Sequence, residues 1–261
     1  MSKPDVPLRL EFSIELPGSP EQVWSAIATS HGIGSWFLPT DLEEHDGGAI
    51  AFHMGDTTSE GTVTGWEPPA RFAYQEPDWN ALAGHEDSPV TPMVSEFLVE
   101  AKSGGTCVLR VVTSAFGTGA DWEQEFWDEM EKGYLPFFDN LRLYLSDFPG
   151  QRVTQLEVST KLDGDPAAVV AAMRRDLGAD KAGSSVDGRG LRGHVHRDDF
   201  SGFLVRITDP VPGFMSFWAF DNDGTMATVA GWLFSDGAPQ YVEREHAAWQ
   251  EWLDTLTVPA T

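Results

Sequence analysis

The sequence is poor in cysteine and in basic residues. Of its 261 residues, one is a cysteine, Cys107, and 17 are Lys or Arg against 41 Asp or Glu, a formal net charge of -24. One cysteine excludes a disulfide within the chain and is typical of proteins from a reducing cytoplasm. Nucleic acids and anionic membranes both attract positively charged surfaces, so the charge argues against either as a partner.

Long hydrophobic runs and known catalytic motifs are also missing from the sequence. No run approaches membrane-spanning length, and the first residues, MSKPDVPLRLEF, lack the apolar core of a secretion signal. We therefore expect a cytoplasmic protein. The motifs GxSxG, HExxH and CxxC and a Gly-rich phosphate loop do not occur. We predict no catalytic residue and no cofactor. These observations favour a protein that is not an enzyme over one that is.

The histidines and the cysteine offer little for metal or nucleophilic chemistry. His194 and His196 are two apart on a predicted strand and share a face, but no third ligand follows at a convincing spacing. We therefore predict no metal site. Cys107 lies in the strand-like segment TCVLRVVT and is predicted to be a small core residue. The remaining candidates, which lie in or near loops, are predicted to be surface residues: His31, His45, His53 and His85.

Aromatic residues, by contrast, are abundant, and the longest amphipathic segment carries many of them. The segment Asp121–Leu145 has helical periodicity and places apolar side chains on one face: Trp122, Phe126, Trp127, Met130, Tyr134, Phe137, Phe138, Leu141, Tyr144 and Leu145. Gly133 weakens this helix, and Pro136 removes a backbone donor from it. A stripe this long and aromatic predicts a helix that covers a large sheet or roofs a cavity.

The rest of the chain alternates between strand and helix patterns, and one pattern occurs twice. LPGSPEQVWSAI at 16–27 matches LDGDPAAVVAAM at 162–173, and each follows a predicted strand. Each copy then continues through antiparallel strands to a closing amphipathic helix. The segment 76–92 is predicted to be a long polar loop. We expect two domains, 1–150 and 151–261, of which the second is a shorter and diverged copy.

The ordered motifs SPEQVW, SWF, DGGAIAF, GTVTGWEPPARFAYQ and EKGYLPFFDNLRLYL resemble one known family. They are similar to the START-like SRPBCC superfamily, in the branch named for the activator of heat-shock protein 90 ATPase homologue. The resemblance covers about residues 8–146. It implies an α+β helix-grip fold, in which a curved antiparallel sheet wraps around a long C-terminal helix. The second copy resembles the superfamily only in its first and last helices.

The resemblance also implies a cavity between the sheet and the long helix. We expect this cavity to bind a hydrophobic small molecule, with its lining drawn from Trp36, Phe52, Phe97, Phe126, Met130, Tyr134 and Phe138. Glu123 is either an exposed acid in the first helical turn or a ligand-orienting or acid-base carboxylate at the cavity mouth. Two other functions stay open: a chaperone-associated or regulatory interaction protein, and a cyclase- or hydrolase-type enzyme that uses a buried carboxylate or histidine in the same cavity.

Overall fold

The computed structural model describes residues 5–55, 57–221 and 224–258. Its contacts divide the chain into two compact units, Met1–Gly150 and Gln151–Thr261. Each unit contains one antiparallel sheet and its own helices. The predicted α+β class, with tandem helix-grip units, is confirmed.

The first unit is a seven-stranded sheet with a long helix at its C-terminal end. Its strands lie in the order β1-β7-β6-β5-β4-β3-β2. The elements along the chain are β1 Val6–Pro17, α1 Pro20–Ile27, α2 Ser30–Gly34, β2 Thr40–Leu42, β3 Ala49–Met54, β4 Thr57–Glu67, β5 Arg71–Glu76, α3 Trp79–Leu82, β6 Met93–Ala101, β7 Thr106–Gly117 and α4 Asp121–Asp147.

Local sequence explains how these elements begin and turn. In β1 every second side chain faces the core, from Leu8 to Leu16, while the residues between them are exposed. Ser19 caps α1 and forms a capping box with Gln22. The hairpin between β6 and β7 turns at Gly104 and Gly105, whose φ angles of 88° and 77° favour glycine.

The second unit repeats this plan with one strand fewer. Its elements are β8 Val153–Leu162, α5 Pro166–Leu177, β9 Ser185–Gly188, β10 Leu191–Asp199, β11 Gly202–Asp209, β12 Gly213–Asp221, β13 Thr225–Phe234 and α6 Ala238–Asp254. The strand order is β8-β13-β12-β11-β10-β9. In both units the first strand pairs with the last, and the other strands follow in reverse chain order. This shared topology accompanies the repeated sequence motif.

Aromatic side chains fill the space between α6 and the second sheet. Trp249 packs on Phe217 with ring centroids 6.1 Å apart, and Trp252 packs edge-on against Trp249 at 5.4 Å. Phe203 stacks on Phe217 with centroids 5.1 Å apart. The guanidinium of Arg189 lies over both tryptophans, at 5.0 and 4.7 Å from their centroids. These contacts form a packed core.

The structure corrects the sequence prediction in three segments. The predicted polar loop 76–92 begins with the last residue of β5 and contains α3, whose Trp79 is fully buried. Asn80 of α3 is also buried, and its side-chain amide is satisfied because it donates to the carbonyls of His85, Glu86 and Ser88. Two further elements, α2 at Ser30–Gly34 and the short strand β9, have no counterpart among the elements that the sequence predicts.

Candidate functional site

The long helix α4 forms one wall of the candidate site. It runs for 27 residues without a break, through both Gly133 and Pro136. Its aromatic face lies over the sheet, where Phe12 of β1 meets Phe138 edge-on at a centroid distance of 4.9 Å. Phe37, which follows α2, packs edge-on against Phe137 at 4.8 Å. These contacts anchor the second half of α4 and leave its middle facing open space.

An inner cavity of about 30 Å³ lies among these rings. It is lined by Ile27, Ile33, Trp36, Phe37, Phe52, Phe72, Tyr74, Phe97, Tyr134, Phe137 and Phe138. A volume of this size holds about one water molecule. The inner cavity is therefore nearly filled by its own aromatic lining.

An outer cavity of about 290 Å³ lies beside it, under the middle of α4. Its lining comprises Phe37, Leu38, Phe52, Met54, Ser59, Tyr74, Glu76, Leu82, Met93, Phe126, Glu129, Met130, Gly133, Tyr134 and Phe137. The two cavities share five aromatic residues, so they form one continuous aromatic wall. The outer volume lies near the lower end of the range of about 300–1,000 Å³ found for small-molecule sites.

Seven of the eight residues named from the sequence lie around these two cavities. Trp36, Phe97 and Phe138 line the inner cavity, Phe126 and Met130 line the outer one, and Phe52 and Tyr134 line both. Trp36 is held by a hydrogen bond of 2.9 Å from its indole nitrogen to the carbonyl of Ala26.

Glu123 has a different role from either one predicted for it. It is 1% exposed, and its two carboxylate oxygens accept hydrogen bonds from the turn between β7 and α4. The donors are the backbone nitrogens of Thr118, Gly119 and Ala120, at 2.8, 2.8 and 3.2 Å, and the Thr118 hydroxyl at 3.0 Å. Glu123 therefore fastens the start of α4 to the preceding turn, and it does not line either cavity described above.

Sequence reasoning missed several polar residues of the site. The strand register aligns Tyr74, Ser95 and Thr113 across β5, β6 and β7. The hydroxyls of Ser95 and Thr113 are fully buried and lie 3.2 Å apart. Tyr134 reaches this row from α4. Burial, followed by the charge of Glu76, raises the pKa of Tyr134 to about 12, although Thr113 and Ser95 partly offset the rise.

Glu76 is the most unusual of these missed residues. It lies at the end of β5, is 6% exposed and lines the outer cavity. The Ser59 hydroxyl of β4 donates to its Oε1 at 2.5 Å. Burial raises the pKa of Glu76 above its ordinary value, and the Ser59 bond lowers it in part. The alternation of Phe72, Tyr74 and Glu76 along β5 is the sequence signal that could have identified it.

Cys107 and His85, which were also considered from the sequence, make packing contacts within the fold. Cys107 is buried, its thiol donates to the carbonyl of Gly18 at 3.3 Å, and burial raises the pKa of the thiol. His85 stacks on Trp122 with centroids 4.2 Å apart. Within the described residues, no group of three or more His, Cys, Asp or Glu side chains could hold a metal ion. In the same residues, no helix is long and apolar enough to cross a membrane.

A seven-stranded antiparallel sheet that grips a long C-terminal helix, with an aromatic cavity between them, defines the START-like SRPBCC class. Residues 17–146 match the family described as "Activator of Hsp90 ATPase homolog 1-like protein". The first unit matches this family over most of its length, so the resemblance noted in the sequence is confirmed.

Several solved structures are similar to this chain. The Aha1 dimer from Colwellia psychrerythraea is 18% identical, covers 54% of this chain and 97% of its own, and has a TM-score of 0.43. The di-domain ARO/CYC protein BexL from the BE-7585A biosynthetic pathway is 14% identical, with coverages of 97% and 100% and a TM-score of 0.45. DynU16, from the dynemicin biosynthetic locus, is 16% identical, with coverages of 97% and 97% and a TM-score of 0.42. A comparison with curated proteins found no match.

Proposed function

We propose that the first unit binds a hydrophobic small molecule in the outer cavity between α4 and the sheet. The observation that carries this proposal is a cavity of about 290 Å³ whose lining is mainly aromatic and aliphatic. Transfer of apolar surface from water into such a lining is favourable by about 25 cal/mol for each Å² buried. Tyr74, Tyr134 and Glu76 supply the few polar groups that orient a ligand in a site of this kind.

The middle of α4 explains why the space stays open. A Cβ atom added at Gly133 would meet no heavy atom within 4 Å, although the residue lines the cavity. One turn earlier, Met130 is half-buried at the same wall, and its flexible side chain adapts to ligands of different shape. The helix thus leaves space at Gly133, beside the flexible side chain of Met130.

Binding of a neutral fluorescent probe, N-phenyl-1-naphthylamine, tests this proposal. Wild-type protein should bind the probe and enhance its fluorescence. Met130→Trp should fold normally and lose most of the binding, because the larger ring fills the cavity instead of overpacking a solid core. Met226→Trp is the matched control, since Met226 is also half-buried but lies on β13 in the second unit. Unchanged binding by folded Met130→Trp, or unfolding of that variant, would contradict the proposal.

A second candidate function is catalysis in the same cavity, and Glu76 favours it. A buried carboxyl with a raised pKa is the type of group that can act as a general acid or base near neutral pH. An enzyme of this kind would return a bound compound chemically changed, and Glu76→Gln would bind the compound but leave it unchanged. Recovery of the compound unaltered from wild-type protein favours simple binding.

A third candidate, a chaperone-associated role, has the family description in its favour. It predicts that purified Hsp90 binds the chain and that Met130→Trp leaves this binding intact, because the cavity is not the docking surface. The hydrophobic-ligand proposal predicts instead that Met130→Trp loses binding of the probe. Measuring probe binding and Hsp90 binding in the same variant therefore separates the two functions.

A further inference from the structure

The outer cavity combines acidic side chains with aromatic rings, and no basic side chain is among the described residues that line it. Its lining includes Glu76 and Glu129, and no Lys, Arg or His is among the described residues that line either cavity. Glu129 is a rim residue whose side chain is 63% exposed and paired with Lys132. Glu76, in contrast, is buried, and the hydrogen bond that it accepts comes from a neutral hydroxyl.

A buried carboxylate without a cationic partner is unfavourable, because burial removes the water that stabilises its charge. Such a group either stays protonated or acquires a positive partner from elsewhere. Among the described residues, no salt bridge links Glu76 to a basic side chain of the chain itself. A positively charged ligand group would therefore supply the missing partner.

Aromatic rings around the cavity favour the same kind of ligand. Phe52 and Tyr74 pack with centroids 5.3 Å apart, and both belong to the wall that the inner and outer cavities share. The faces of such rings carry negative electrostatic potential and attract ammonium groups within about 6 Å. The net charge of -24 adds a field that draws cations and repels anions.

We infer that the ligand of the outer cavity is an organic cation, with an apolar body against the aromatic wall and an ammonium group beside Glu76. This inference rests on the proposed function, since it names the chemical class of the hydrophobic ligand. It assigns Glu76 the role of the residue that selects for positive charge, with Ser59 positioning its carboxylate.

Competition against bound N-phenyl-1-naphthylamine tests the inference in the full-length protein. The competitors are benzyltrimethylammonium and its neutral isostere neopentylbenzene, which differ in charge but hardly in shape. For wild type, the cation should compete at about tenfold lower concentration than the isostere, the preference expected from one desolvated ion pair and cation–π contact. In Glu76→Gln the two should compete about equally, while affinity for the neutral probe is retained.

Glu131→Gln is the matched control, because it removes the same charge from an exposed position of α4 that does not line the cavity. This variant should keep most of the preference for the cation. Lowering the pH should also weaken cation binding to wild type as Glu76 becomes protonated. Tyr74, Tyr134 and Glu129 are the other titratable groups that line the cavity with Glu76. Neither tyrosine ionises at or below neutral pH, because burial raises the pKa values of both.

Three results distinguish failure of the inference from failure of the proposed function. If the probe does not bind wild type, the proposed function itself fails. If the probe binds but the isostere competes as well as the cation, the cation inference is overturned and the hydrophobic site stands. A preference of wild type for the neutral ketone pivalophenone over the cation would also overturn it, because Glu76 would then act as a protonated donor.

Discussion

Two buried glutamates of the first unit illustrate how differently the same side chain is used. Glu123 is surrounded by donors from one turn, and Glu76 accepts from Ser59 beside an apolar cavity. Burial is nearly complete for both, at 1% and 6% exposure. The first carboxylate is therefore a structural anchor, and the second retains capacity to interact with a ligand.

Glu123→Ala should lower the free energy of unfolding of the first unit by about 2–3 kcal/mol. The substitution removes the acceptor for three backbone N–H groups in a buried turn, and unsatisfied buried donors cost about 1–3 kcal/mol. Urea unfolding measures the loss. Glu125→Ala is the control, because Glu125 is exposed in the same helix and should change stability by less than about 0.5 kcal/mol. Equal effects of the two substitutions would contradict the anchoring role.

The raised pKa of Glu76 predicts a pH dependence of stability. Because the folded protein holds this proton more tightly than the unfolded chain, Glu76 contributes stability below its ordinary pKa of 4.5. That contribution is lost as the pH rises through the raised folded pKa. Glu76→Gln should therefore gain stability relative to wild type as the pH rises from below 4.5 into the neutral range, by roughly 1.4 kcal/mol for every tenfold difference in proton affinity between the folded and unfolded states. A constant difference in stability between the two proteins across this pH range would refute the expectation.

At the scale of the element, α4 contains a residue beside the cavity, Gly133, that lowers the stability of the helix. Gly133 lies in the helix interior, where glycine is disfavoured relative to alanine by about 1 kcal/mol. No heavy atom would meet an added Cβ, so steric contact does not require the glycine. Its position in the lining suggests that the missing side chain widens the cavity.

Substitutions at Gly133 should separate helix stability from ligand binding. Gly133→Ala should stabilise the protein by up to about 1 kcal/mol in urea unfolding. Gly133→Leu should retain the fold and reduce the binding of N-phenyl-1-naphthylamine at least about tenfold, because its side chain enters the cavity. Glu131→Leu, at an exposed position of the same helix, should leave probe binding unchanged. Normal binding by Gly133→Leu would show that the ligand does not lie under this part of α4.

Local patterns predicted the elements well, whereas the cavity depended on contacts between distant elements. The alternation from Leu8 to Leu16 and the Ser19 cap act within a few residues, so the sequence alone revealed them. The inclusion of Phe37 and Tyr74 in the wall depends on strand register and on where α2 packs, which the sequence does not encode locally. Glu123 was misjudged because its donors belong to the preceding turn, whose shape no periodicity reveals.

At the scale of the whole molecule, the two units have the same strand topology but different interiors. The first has space between its long helix and its sheet, whereas Trp249 and Trp252 fill this region in the second. A shared ancestor followed by loss of the cavity is consistent with the repeated LxGxP motif and the shorter second copy. We therefore propose ligand binding for the first unit and a structural role for the second.

Limited trypsin digestion tests whether 1–150 and 151–261 are separate folding domains. The segment between α4 and β8 belongs to neither element, and Arg152 within it is exposed. Trypsin should cut there first and leave two resistant fragments. Arg152→Gln removes the site and should delay this cleavage without changing the other fragments. Rapid degradation of the first fragment after the cut would contradict independent folding of residues 1–150.

Methyl NMR of protein labelled at the methionine methyl groups locates the ligand most directly. Met54, Met93 and Met130 line the outer cavity, whereas Met173, Met215 and Met226 belong to the second unit. Saturation with N-phenyl-1-naphthylamine should shift the signals of the first three, because an aromatic ligand in the cavity lies against their methyl groups, and it should leave the other three in place. Shifts confined to the second unit, or none at all in the cavity methionines, would contradict ligand binding at this site.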